Sequence, residues 1–425
     1  MTNLALDQHP EFEPAEASEI SALQELRPVP RISIQAFCET ASVLKPMERV
    51  LSDRRLARAH MRVEQGGLLS AAEFYSSNPT PNLVIVETSV EAKSIMGELA
   101  KLAEVCDPSS KVVVIGHYND VTLYRDLIRA GVSEYMVAPV SMADVLSVIS
   151  NIFVSADSAP IGKTIAVVGA KGGVGSSTIS HNLAWAISTL FKNEVVIADM
   201  DLPFGTASIN FDRDPAQGIA EAVFSPERID ETYLDRLLEQ CSEKLSLLAA
   251  PSTLDRVYDF DADAFNQIID TAQRTAPTVV LDVPHGWNGW TKTTLARADE
   301  IVIVASPELA NLRNTKNIMD MLRKLRPNDK QPFLVLNQVG VAKRPEITVA
   351  DFCGPLGIDP IATIPFDPLF FGNATNNGRM LAETDANHAT VKIINDIAHI
   401  VTGRQEVKAK SKPGLQSILA KLRKK

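Results

Sequence analysis

Residues 171 to 178, KGGVGSST, set a lysine and three hydroxyls around a run of glycines. That is a composition suited to holding a phosphate. Glycines let backbone N–H groups converge on an anion, and a helix opening directly afterwards adds positive potential. Gly172, Gly173, Val174 and Gly175 would supply the backbone cradle, and Ser176, Ser177 and Thr178 its first helical turn. Ser177 stands where a hydroxyl would hold Mg2+. GGVG alone also fits a tight strand-to-helix turn, and the usual lysine of a phosphate loop is replaced by Ser176. Losing one such donor costs roughly 3 kcal/mol, or about 10²-fold in rate, in a partly dehydrated site. Turnover is therefore expected to suffer more than binding.

Acids follow at strand-like ends. VVIADMD (195–201) closes on Asp199 and Asp201, and TVVLD (278–282) closes on Asp282, the form of a strand whose acid holds a Mg2+ shell through water. Strand-end acids also cap turns, which is the alternative use of Asp199 and Asp201. Trp287 and Trp290, in HGWNGW (285–290), suit either a core or a partner surface, with the core expected for one of them.

Two series of elements must position these residues. From 31 to 155 the short apolar runs RISIQAFC, NLVIVET, KVVVIGH and SEYMVAP alternate with helical patterns, which indicates βαβ units and a parallel sheet. A polar, Pro- and Gly-containing stretch, SADSAPIGK (155–163), reads as a linker. From 156 to 403 a second series (TIAVVGA, EVVIADMD, LSLLAAP, PTVVLDVP, EIVIVASP, PFLVLNQV, PIATIPF) carries runs apolar enough to be buried on both faces. The expected fold class is α/β with two parallel-sheet domains, ligands sitting at the carboxyl ends of strands.

The ends differ from this body. Residues 1–30 hold six acids, one arginine and four prolines, an acidic tail expected to be disordered. Residues 404–425 hold eight bases and one acid, and Leu415, Ile418, Leu419 and Leu422 fall on one helical face within 413–425. Such a short basic amphipathic helix suits an anionic membrane surface; a helix docked on its own domain or a solvated basic end are the alternatives. A net charge of −10 argues against holding DNA by phosphate neutralisation. Four scattered cysteines without a C-x-x-C pair suit a reducing cytoplasm, and nothing resembles an export signal or a bilayer-spanning run.

KGGVGSST after TIAVVGA resembles the deviant Walker A loop of the ParA/MinD family of P-loop ATPases. That resemblance implies ATP with Mg2+, and a homodimer in which Lys171 reaches the partner's phosphates. It gives Asp201, second acid of a D-x-D pair, a water- or metal-orienting role beside Asp199, and gives Asp282 a Walker B role. Catalysis would rest on Lys171, Asp201 and Asp282, and the metal on Ser177, Asp199 and Asp282. FLVLNQV resembles the strand whose Asn, here Asn337, meets adenine, and TIPFDPLFFGNATNNGRML resembles the segment whose Pro365 and Asp367 border the base.

The first domain resembles a response-regulator receiver, with a flavodoxin-like fold, through AGVSEYMVAPVSMADVL. Ala138 takes the lysine position, Glu87 the phosphoacceptor position, and Cys38-Glu39 the place of an acidic pair. It reads as a pseudo-receiver for binding or dimerisation. A pseudo-receiver followed by such an ATPase is similar to the CpaE/TadZ family. This implies an ATP-dependent switch that places tight-adherence pilus assembly proteins at the cell pole, peripheral on the inner membrane. A catalytically silent nucleotide-binding scaffold, or a ParA-like partition ATPase, is the alternative.

Overall fold

The computed structural model describes residues 23, 26, 29–153, 161–254 and 256–404. Most of the expected acidic tail and of the linker, and the whole stretch 413–425, lie outside the described residues, but Leu23 and Val29, within the expected tail, are buried in the core of the first unit. The chain divides into two compact units. One holds residues up to Ile161 together with Lys292–Arg297 and Asn317–Gln331, the other Gly162–Thr291, Ala298–Lys316 and the residues from Pro332 on.

In the first unit, strands β1 (Ser33–Cys38), β2 (His60–Gln65), β3 (Leu83–Glu87), β4 (Lys111–Gly116) and β5 (Glu134–Val137) form a parallel sheet in the order β2-β1-β3-β4-β5. All five residues of β3, the central strand, are buried. Both of its faces are covered. Val43, Met47, Leu146 and Ile149 pack on one face, and Leu68, Tyr75, Ile95, Leu99 and Leu127 on the other. β2, HMRVEQ, escapes a search for apolar runs because an edge strand has one sheet neighbour and only Met61 is buried.

The second unit is built on β6 (Lys163–Gly169), β7 (Val195–Asp199), β8 (Glu239–Ser242), β9 (Leu245–Leu248), β10 (Thr278–Val283), β11 (Glu300–Ala305), β12 (Phe333–Val339) and β13 (Ala362–Pro365). Their order is β13-β12-β11-β6-β10-β7-β9-β8. Every pairing is parallel except β8 with β9, an antiparallel edge that the apolar pattern did not announce. The runs expected to be buried on both faces are so in β7 and β10, where every residue is buried. β6 lies between β11 and β10, so the chain leaving β6 emerges where the winding reverses.

The helix Ser176–Phe191 begins there and buries Ile179, Leu183, Ala184, Ala186 and Ile187 against the sheet. Burying such side chains contributes roughly 1.5–3 kcal/mol for each large aliphatic. The start of this helix is therefore held firmly against the strands that carry the acids. Trp290 is 7% exposed and packs 4.6 Å from Phe265, whereas Trp287 is 50% exposed. Among the described residues no helix is long and apolar enough to cross a membrane.

Candidate nucleotide-binding site

β6 ends at Gly169, and the chain turns through Lys171–Gly175 into the helix Ser176–Phe191. Side chains from neighbouring elements bind the carbonyls of this turn. His285 Nδ1 donates to the Gly169 carbonyl at 2.9 Å, Asn314 Nδ2 to that of Ala170 at 2.9 Å, Gln338 Nε2 to that of Gly173 at 3.0 Å and Asn337 Nδ2 to that of Val174 at 2.8 Å. The N–H groups of Lys171 to Gly175 have no protein acceptor among the described residues. Two glycines allow this path: φ is +80° at Gly173 and +85° at Gly175. A Cβ on Gly175 would also sit 2.6 Å from Asn337 Nδ2. Only glycine fits that position.

Ser176, Ser177 and Thr178 are half-buried in the first helical turn. Lys171 is half-exposed, with Nζ 3.3 Å from Glu308 Oε2. The acids converge at the same end of the sheet. Asp282 pairs in register with Asp199 and Val167, and its carboxylate is buried. Its Oδ2 lies 3.2 Å from His181 Nε2, while Oδ1 has no partner.

Asp199 is fully buried; Oδ1 accepts from Asp201 N at 3.2 Å and Oδ2 from Ala207 N at 3.0 Å. Burial first, and then the charge of Asp282, pushes its carboxyl up to about 7. Asp201 is half-buried, accepts from Phe204 N at 3.2 Å and is likewise raised, chiefly by burial. Asp199 thus ties down the loop after β7, and of the two acids Asp201 is the accessible one.

The expected adenine-side residues also make contacts within the protein. Asn337 is 5% exposed and donates an amide N–H to the loop. Pro365 is exposed at the end of β13, and Asp367 caps the helix Pro368–Asn376 by accepting from Phe370 N at 3.0 Å.

His181, Asn314, His285 and Gln338 were not legible as site residues. One signal existed for His181: it lies four residues after Ser177, on the same face of the helix.

The site in the first unit is closed by its own side chains. Glu87 Oε2 accepts from the N–H groups of Glu39 and Thr40 at 2.7 and 2.9 Å, and Oε1 accepts from Thr40 Oγ1 at 2.6 Å and His117 Nε2 at 3.0 Å. Burial first, then the Glu87 charge, pushes the Cys38 thiol up to about 12. That thiol stays protonated at neutral pH.

Comparison with known proteins separates the two units. Residues 162–335 match the AAA domain family AAA_31. The solved pilus assembly protein CpaE from Caulobacter crescentus is 42% identical over a stretch in the N-terminal region that covers 30% of this chain and 97% of that one. The chain belongs to the CpaE family. The TM-score against that structure is 0.29, and membership rests on the identity, not on the superposition. The chain is also similar to MinD. The septum site-determining protein MinD of Synechocystis sp. is 26% identical over 228 residues, 52% of this chain and 81% of that protein. The structure of MinD complexed with Mg-ADP from Pyrococcus horikoshii has a TM-score of 0.51 at 20% identity, covering 59% of this chain and all of that one, a likeness of fold.

Proposed function

We propose that this CpaE-family chain is a nucleotide-operated switch: ATP and Mg2+ bind at residues 171–178 and favour a homodimer that positions pilus assembly proteins at the cell pole. The observation that carries this reading is the loop itself. Four side-chain donors fix its carbonyls, its amide N–H groups have no protein acceptor among the described residues, and the unpartnered Asp282 Oδ1 lies at the same strand ends. These groups fit a triphosphate and its metal. The structure of a fold relative complexed with Mg-ADP, and the pilus-assembly name of the CpaE relative, support the assignment of ligand and process.

In this reading the N–H groups of Lys171–Gly175 bind phosphate oxygens, the Ser177 hydroxyl ligates Mg2+, and Asp282 accepts from its water shell. Asp201 orients water, with Asp199 holding its loop in place. When bound, Mg2+ neutralises phosphate charge and fixes the geometry of the phosphate tail. Lys171 exchanges Glu308 for the partner's phosphates. Exposed Pro365 and half-buried Asp367 border the base. The basic stretch 413–425 holds the switch on an anionic membrane surface.

Ser176 favours a second reading, a scaffold that binds nucleotide without turning it over. Phosphate release with and without Mg2+, measured beside a nucleotide titration and the size of the particle with and without ATP, separates them. Binding and dimerisation with slow release support the switch. Binding alone, without release or dimer, leaves the scaffold, and no binding ends both. Vesicle pelleting of the full chain against one ending at Lys412 tests the membrane contact, and equal pelleting removes it.

A further inference from the structure

Beneath the loop, three side chains from three elements converge in the interior of the second unit. His181 comes from the helix Ser176–Phe191, Asp199 from β7 and Asp282 from β10. One donor atom from each lies within 4.8 Å of the other two, and all three residues are buried, His181 and Asp199 completely. Two polar atoms of this group lack a hydrogen-bond partner: His181 Nε2 and Asp282 Oδ1. His181 Nε2 meets Asp282 Oδ2 at 3.2 Å without hydrogen-bond alignment, which leaves the buried carboxylates poorly compensated. Ionising two carboxylates side by side away from water is costly, and a cation among them offsets that cost.

We propose that His181, Asp199 and Asp282 form a closed site for a first-row divalent ion of the Mn2+ to Zn2+ class, occupied in the absence of nucleotide. One imidazole nitrogen with two carboxylates is a donor set for such ions; an all-oxygen set is what Mg2+ selects. Donor spacing agrees. His181 Nε2 and Asp282 Oδ2 are 3.2 Å apart, the separation of neighbouring donors on an ion with bonds of about 2.0–2.2 Å.

The surroundings are those of a supported ligand set. Asn210 Nδ2 lies 2.8 Å from His181 Nδ1. Ligation through Nε2 moves the ring proton to Nδ1 and requires the Asn210 amide to turn its oxygen towards that N–H. Asp199 is fixed by the N–H groups of Asp201 and Ala207, and Phe211 packs 5.6 Å from the imidazole. The site shares Asp282 and Asp199 with the nucleotide reading but needs neither nucleotide nor turnover.

The test uses the full chain, stripped with chelator and freed of nucleotide. Titration with Mn2+, followed by the electron paramagnetic resonance of free Mn2+, should show one ion bound per chain. Pulsed spectra of the bound ion should carry nitrogen coupling from the imidazole. Zn2+ should displace it and raise the melting temperature, and Mg2+ at equal concentration should not displace it. His181→Gln should weaken Mn2+ binding about tenfold or more and abolish the nitrogen coupling. No binding without nucleotide, or bound Mn2+ without nitrogen coupling, overturns the proposal. The coupling is read on the wild-type chain, so the test decides even if the variant does not fold. Nucleotide binding is scored separately, and its failure leaves this result intact.

Discussion

Asn337 Nδ2 donates to the carbonyl of Val174 at 2.8 Å, joining the end of β12 to the glycine loop across 163 positions of sequence. The contact is buried, and the same amide occupies the space a Cβ on Gly175 would need. The residue expected to face adenine therefore also shapes the glycine loop.

Asn337→Ala removes that donor and leaves a buried carbonyl without its partner. The expected cost is about 1–3 kcal/mol of stability, with weaker nucleotide binding because the loop loses one of its four side-chain anchors. Denaturant titration and a nucleotide titration on the same variant check both. Unchanged values in both would show that the contact is incidental.

Ser176→Lys returns a cation to the first turn of the helix. Phosphate release should rise about tenfold or more, within the range that one charge donor supplies in such sites, while nucleotide affinity changes less. A variant that binds nucleotide and releases phosphate no faster than the wild type would place the missing chemistry elsewhere.

Asp199 sets a pH dependence. Its folded carboxyl keeps its proton up to about 7, against the ordinary aspartate value of 3.8. Between those values the folded chain binds more protons than the unfolded one, so stability is greatest at the acid end and falls as pH rises towards about 7, levelling above it. Urea denaturation across this window, in chelator, should show that slope in the wild type and a flatter one in Asp199→Asn. Equal slopes contradict the assignment to Asp199.

Glu87 predicts silence towards phosphodonors. Its two oxygens already accept four hydrogen bonds, and Ala138 stands at the lysine position. Acetyl phosphate should leave the mass of the chain unchanged. Glu87→Ala, by contrast, strips the N–H groups of Glu39 and Thr40 of their acceptor and should cost about 2 kcal/mol or more. A phosphorylated product at Glu87 would reverse this reading of the first unit.

Much of this was legible because buried parallel strands announce themselves. Runs such as TVVLD and VVIAD are apolar throughout because both faces of β10 and β7 are covered, and the break in each run marks the strand end where Asp282 and Asp199 stand. β2 and β8 were invisible for the converse reason: each lies at a sheet edge, and its polar residues lack the signature. The glycine loop was readable as a local motif, since φ at Gly173 and Gly175 depends on the residue type itself.

The sequence by itself determined the α/β alternation, the glycine path and the substitutions at Ser176, Glu87 and Ala138, because these are properties of residues and their near neighbours. Tertiary structure alone decided which side chains meet. Asn337 and Gln338 reach the loop from β12, Glu308 takes Lys171, and His181 comes to rest beside Asp282, far along the chain, because the winding order puts β10 next to β6 and β7. Strand order follows from the packing of whole elements, and no short stretch of residues encodes it.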